Sequence, residues 1–240
     1  MDVNGKTVLL TGGSAGIGRE MARQLKSRGA KVILTGRDGA RLEAMRGEGF
    51  DVLEADLSHP AGVDALVAAL GDRAINILIN NAGQGVDHDF RVAAPDADAS
   101  DACIYANLSA PIRLITALLP ALRTRPEAAI VNVTSGLAIA PRAGSPVYCA
   151  TKAGLRSYTM ALRAQLKGTD IHVVEALPPV VDTQMTAGRK GNKMAPEECA
   201  RQILAALTEG RDEADVGMVK FLKLVHSVSP SLARNIMIRF

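Results

Sequence analysis

Short apolar runs rich in Val, Ile and Leu alternate along the chain with segments whose apolar residues recur every three or four positions. The runs at 6–10, 31–35, 51–57, 75–80, 129–135 and 171–177 read as strands, each ending in polar or glycine-containing residues. The segments at 19–28, 40–46, 61–70, 99–123, 148–167 and 196–207 carry helical spacing, the last opening on Pro196 with Glu197 and Glu198 in its first turn. This alternation predicts an α/β fold: a doubly wound parallel sheet of about seven strands with helices on both faces. In such a sheet ligands sit at the carboxyl ends of the strands, so the strand exits are where chemistry is sought. Residues 84–98 are the least regular stretch. Residues 185–194, polar and glycine-containing with Arg189, Lys190 and Lys193, read as a mobile flap over those ends.

The first exit runs through Thr11, Gly12, Gly13, Ser14, Ala15, Gly16, Ile17 and Gly18 into a helix. Glycines there allow a tight turn and close approach of a ligand, and the free N–H groups of the helix start favour a pyrophosphate; a purely structural turn is the competing reading. After the second strand come Gly36 and Arg37, a space and a positive charge where dinucleotide folds meet the adenosine ribose, although Arg37 also reads as a solvated turn residue. Tyr148 and Lys152 stand four apart on one helical face. A phenol ionises near pH ~10, so it exchanges protons near neutrality only where a neighbouring positive charge stabilises its anion, and Lys152 is placed to supply that charge. Ser135, at the end of the fifth strand, presents a hydroxyl suited to a substrate carbonyl. Taken alone, the pair is also a spacing that chance produces. Asn107 has poor helix propensity and is either exposed or kept for a hydrogen bond.

Composition narrows the classes. A chain of 240 residues with 48% hydrophobic content suffices for one core and predicts a single domain over 1–240. Aromatic residues make up only 3%, so the core falls to Ala, Val, Ile and Leu, as expected of parallel strands covered on both faces. A net charge of +3 with dispersed Lys and Arg excludes a nucleic-acid footprint. Three cysteines without C-x-x-C spacing suggest neither a disulfide framework nor a metal site, and fit a reducing cytoplasm. No signal segment is legible after Met1, and no apolar run approaches the ~20 residues of a membrane span.

Several of these residues in order give a resemblance. Thr11, Gly12, Gly16 and Gly18, then Asp56, then Asn80, Asn81, Ala82 and Gly83, then Asn107, Ser135, Tyr148 and Lys152 stand where the short-chain dehydrogenase/reductase family has its motifs, and the chain resembles that family from residue 6 to about 183. The resemblance implies a Rossmann-type fold and hydride transfer between a nicotinamide cofactor and a small carbonyl or alcohol. It makes Tyr148 the general acid or base, Ser135 the group that holds the substrate oxygen, Lys152 the residue that lowers the tyrosine pKa and binds the nicotinamide ribose, and Asn107 the holder of a water in a relay through Lys152. Gly12, Ser14, Gly16, Ile17, Gly18, Arg37, Asp56, Leu57, Asn81, Ala82, Gly83, Tyr148, Lys152 and Thr183 are the implied cofactor contacts. NADP(H) is favoured through Arg37, with NAD(H) the alternative, because Ala15 stands where NADP-preferring members often have a basic residue. Pro179 stands where the family usually has glycine, and with no N–H it removes any backbone contact there. A cofactor-binding protein without turnover is the alternative function; the intact Asn107, Ser135, Tyr148 and Lys152 speak against it.

The tail, residues 218–240, is similar to members described as DltE-like reductases in its Phe221, Leu222, Lys223, Leu224, Val225 and Ser229, Pro230, Ser231, Leu232 wording. Phe221, Leu224, Val225, Val228, Leu232 and Ile236 fall on one apolar face, and Pro230 predicts a break into two short helices. That face packs on its own fold, buries against a second subunit, or lies on an anionic membrane surface; the first two are favoured over the third. The family's habit of assembling through helices like 99–123 and 148–167 implies a homo-oligomer.

Overall fold

A computed structural model describes residues 1–239. Seven strands, β1 (Thr7–Leu10), β2 (Lys31–Gly36), β3 (Asp51–Glu54), β4 (Ile77–Asn80), β5 (Ala128–Val133), β6 (Ile171–Leu177) and β7 (Glu213–Asp215), form one parallel sheet in the order β3-β2-β1-β4-β5-β6-β7. The order reverses between β1 and β4, paired through Val8 to Ile77 and Leu10 to Ile79, and this switch point opens a crevice at the strands' carboxyl ends. Around the sheet run α1 (Gly16–Ser27), α2 (Gly39–Gly47), α3 (Pro60–Leu70), α4 (Ala97–Ile104), α5 (Ala110–Leu122), α6 (Pro146–Gln165), α7 (Pro196–Thr208), α8 (Val219–Val228) and α9 (Pro230–Met237).

The pleat sorts the apolar runs into two cores. Val8, Leu10, Ile77, Ile79, Ala129 and Val131 face α1, α2 and α7 through Met21, Leu25, Leu42, Met45, Ile203 and Leu207. Leu9, Leu78 and Ile130 face the other way, onto Leu66 of α3, Leu114 and Leu118 of α5 and Leu162 of α6. Both faces of the central strands are therefore covered, which is why the sequence shows unbroken apolar runs there instead of alternation. The helix heads follow local chemistry: Asp38 accepts from the Arg41 N–H at 3.0 Å, and Pro60, Pro146, Pro196 and Pro230 each open a helix.

Three expectations change. The helix expected over 99–123 is continuous from Ala97 to Leu122, but its middle, Tyr105–Ser109, is a π turn that carries Asn107. At 26 residues this helix is long and apolar enough to cross a membrane by length and composition, contrary to the sequence expectation, because its Asp98, Asp101 and Arg113 are too few to offset the rest. Cys103, Ala110, Leu114, Ile115 and Leu122 are buried in the fold, the pattern of a core helix. The tail breaks at Pro230 as expected, into α8 and α9. Its apolar face does not fold back, however: Phe221, Leu224, Val228, Leu232 and Ile236 stay exposed, while Val219 and Ala233 turn inward. Lys223 holds α8 to the sheet edge by pairing with Glu213 and with Asp215, the latter at 2.9 Å.

Candidate active site

At the strand ends lies a cleft of about 810 Å³, and every residue read from the sequence as a cofactor contact lines it. Its centre is the turn after β1. Gly12 and Gly16 hold φ of +64° and +53°, a left-handed conformation that L side chains rarely adopt. A β-carbon on Gly18 would overlap the Gly12 carbonyl oxygen, and one on Gly16 would lie 3.0 Å from Thr183 Cγ2. The turn is braced from β4: Asn81 Nδ2 donates to the carbonyls of Thr11 and Gly12 at 3.0 and 3.1 Å, and the Thr11 hydroxyl accepts from the N–H groups of Asn81 and Ala82. The amide of Asn81 is thus spent on shaping the turn. α1 begins without a side-chain cap and without an acidic residue in its first turn, leaving its free N–H groups and positive dipole end at the cleft. A pyrophosphate fits this cradle in shape and charge.

At one end of the cleft stands a basic pair. Arg37 donates to Gln84 Oε1 at 3.1 Å, and Arg41, one turn into α2, donates to Gln184 Oε1 at 2.6 Å while pairing with Asp38 at 3.2 Å. A β-carbon on Gly36 would stand 2.8 Å from the Ser14 hydroxyl, so a side chain there would have to push Ser14 aside, and Gly36 leaves the exit of β2 open beside Arg37. Asp56 lies opposite. Burial favours its neutral form, yet its hydrogen bonds from Ser58 and the nearby Arg37 and His59 hold its carboxyl below the usual value. Arg41 went unread in the sequence, although its place four residues after Arg37 on a capped helix is a signal that could have found it.

At the other end, α6 brings Tyr148 and Lys152 under the exit of β5. Tyr148 is half-buried, and the Lys152 ammonium, 4% exposed, lies 5.7 Å from the centre of its ring and donates to the Val133 carbonyl at 2.8 Å. The Ser135 hydroxyl accepts from the Leu137 N–H at 3.1 Å, which leaves its own proton to donate. Asn107 does not line the cleft. Its Oδ1 accepts from the Gln84 N–H at 2.9 Å and its Nδ2 donates to the Gln84 carbonyl at 2.9 Å and to Thr151 Oγ1 at 3.1 Å, so the π turn clamps the loop after β4 onto α6. Pro178 passes its carbonyl to the Gly136 N–H at 3.0 Å, and Pro179 follows on the strand exit.

Burial pushes the Tyr148 phenol up to about 12, with the Ser135 hydroxyl and the Arg189 charge pulling it down, and burial pushes Lys152 down to about 8. The lysine therefore titrates below the phenol. Near neutrality the pair is a neutral phenol beside an ammonium. The flap closes at its neck through the Asp182 N–H to the Met194 carbonyl, 2.8 Å, and carries a second cation, Arg189, to the cleft.

Residues 6–193 match the family model described as short chain dehydrogenase. The uncharacterized oxidoreductase DltE of Bacillus subtilis is 40% identical over 223 residues, covering 89% of this chain and 88% of that protein. Serine 3-dehydrogenase of Agrobacterium fabrum is 34% identical over 192 residues, covering 77% of this chain and 76% of that protein. Among solved structures, a short chain dehydrogenase from Burkholderia cenocepacia in complex with NADP superposes with a TM-score of 0.88 at 27% identity, covering 100% of both chains.

Proposed function

The chain belongs to the short chain dehydrogenase family, and from that premise we propose that it is an NADP(H)-dependent oxidoreductase reducing a small aldehyde or ketone to the alcohol. The observation that carries this reading is the neutral phenol of Tyr148, held beside the buried Lys152 ammonium at the floor of a cleft whose opposite end is a glycine cradle with two guanidiniums. The uncapped start of α1 would hold the pyrophosphate, and Arg37 and Arg41 would pair with a ribose 2′-phosphate, which favours NADP(H) over NAD(H). Thr183, against Gly16, would meet the carboxamide. When bound, the nicotinamide supplies the hydride.

The chain's own residues supply the proton and the orientation. Ser135 donates a hydrogen bond to the carbonyl oxygen and polarises it. Tyr148, protonated near neutrality, gives its proton to that oxygen as the carbonyl carbon is reduced, a general-acid role worth ~10²–10⁴ in rate. Lys152 stabilises the phenolate that remains and, titrating near 8, can return a proton to it. Asn107 serves by holding the Gln84 wall of the cleft. A protonated resting phenol suits reduction better than oxidation, which would need the phenolate first.

The same reading extends to setting and assembly. The three cysteines are free and buried, compatible with a reducing cytoplasm. The exposed stripe of α8 and α9, with the outer faces of α5 and α6, is the surface available for a homo-oligomer. Titration of NADPH and NADH by fluorescence, followed by NADPH oxidation across aliphatic, steroid, quinone and sugar carbonyls, tests the proposal. Tighter NADPH binding with turnover of at least one carbonyl is the expected result; equal affinity for the two cofactors, or binding with no turnover, overturns it.

A further inference from the structure

Four cations besides Lys152 stand near the cleft, and three of them are engaged. Arg37 and Arg41 belong to its far end. Arg142 places its Nη2 2.6 Å from both carboxylate oxygens of Asp87 and also bonds Ser145, which in turn donates to Asp87. Arg189 is the exception. It lines the cleft with Tyr148, its side chain is 26% exposed, and among the described residues its guanidinium donates no hydrogen bond. Asp87, its one ion-pair neighbour, is 3.8 Å away and already neutralised by Arg142. A guanidinium with a full set of unused donors faces the reaction end of the cleft, close enough to the phenol for its charge to act there.

We propose that the substrate of this site is an oxo acid, a small aldehyde or ketone carrying a carboxylate or sulfonate, and that Arg189 is the residue that binds that anion. The inference rests on the reading of the cleft as a carbonyl-reducing site. A guanidinium fork pairs two donors with two oxygens of such a group, an interaction about twice as strong as a neutral hydrogen bond, and a neutral carbonyl compound leaves those donors unused. The flap then selects as well as covers: Arg189 reaches the anion only when the neck at Val181 and Met194 holds residues 184–193 over the strand ends.

The test pairs each acid with its neutral twin: succinate semialdehyde with its methyl ester, and a short sulfonated aldehyde with the corresponding alkyl aldehyde, measured by NADPH oxidation in the native protein, Arg189→Met and Arg189→Lys. The native protein should favour each acid over its twin by about 10–100-fold in kcat/KM, carried mainly by KM. Arg189→Met should bring the acid-to-neutral ratio of kcat/KM down to about one, whatever it does to the rate on the neutral twin itself, and Arg189→Lys should keep part of the preference. Asp87→Asn separates this from a mere flap latch: the preference for the acid survives it, whereas a latch would make Asp87→Asn and Arg189→Met alike toward all substrates. A native protein that turns over the esters as well as the acids, or a preference that persists in Arg189→Met, overturns the inference and leaves the carbonyl-reducing reading standing. No turnover of any carbonyl overturns both.

Discussion

Replacing Lys152 by Met should stabilise the protein near neutrality and lose that advantage in base. The ammonium is 4% exposed, has the Val133 carbonyl at 2.8 Å as its protein acceptor, and is pushed by burial from an ordinary 10.5 down to about 8. That difference corresponds to about 3 kcal/mol against the charged form. Met matches the length of the side chain and removes the charge, but it strands the Val133 carbonyl, which costs about 1–2 kcal/mol. The net gain expected at about pH 7 is ~1–2 kcal/mol. As pH rises from about 8 toward 10.5 the native lysine gives up its proton while the unfolded one keeps it, so the unfolded state binds more protons and the native protein gains stability with pH. Lys152→Met has no such slope. The gap between the two should therefore swing by about 3 kcal/mol, most of it by about pH 10, and change sign. Tyr148 is common to both chains and its raised value lowers stability only above about 10, beyond the range needed. Urea unfolding followed by far-ultraviolet circular dichroism at stepped pH reads the swing directly. Parallel stability profiles for the two proteins would refute the claim that burial governs this lysine.

Other outcomes follow from the same geometry. Gly18→Ala forces a β-carbon into the Gly12 carbonyl and should cost about 2–3 kcal/mol in stability, with weaker NADPH binding, read by thermal unfolding and fluorescence titration. Arg41→Ala should weaken NADPH about tenfold and leave NADH within about twofold, while Arg37→Asp should reverse the preference, since a carboxylate repels the 2′-phosphate. Leu224→Asp with Val228→Asp alters side chains that touch little of their own fold, so unfolding free energy should change by less than about 1 kcal/mol. If a second copy covers this stripe, the mass in solution measured by light scattering falls to that of the single chain; an unchanged mass excludes the stripe as an interface.

What the sequence made legible was whatever depends on neighbours along the chain. The central strands are covered on both faces, so Leu9, Leu78 and Ile130 sit in unbroken apolar runs that read as parallel strands without any structure. The glycine turn declared itself because Gly12, Gly16 and Gly18 stand between a strand and a helix. β7 did not, since three residues with Glu213 and Asp215 at their ends carry no apolar pattern. The π turn at Tyr105–Ser109 is equally silent: its reason is the clamp from Asn107 to Gln84 and Thr151, a contact made across the fold. The order of titration was also out of reach. Tyr148 and Lys152 are four apart in any helix, but only burial decides that the lysine, at about 8, loses its proton before the phenol at about 12. Arg189 showed in the sequence as one of three flap cations, and only the fold reveals that Asp87 is taken by Arg142.

The central claim is that the phenol of Tyr148 delivers the proton in a reduction supported by the rest of the cleft, and Tyr148→Phe tests it most directly. NADPH oxidation in the presence of the best carbonyl found for the native protein, with NADPH affinity measured alongside, separates chemistry from binding. The account predicts a fall in kcat of ~10²–10⁴ with cofactor affinity within about twofold of native. A Phe variant that keeps more than about a tenth of the native kcat would show that another group supplies the proton.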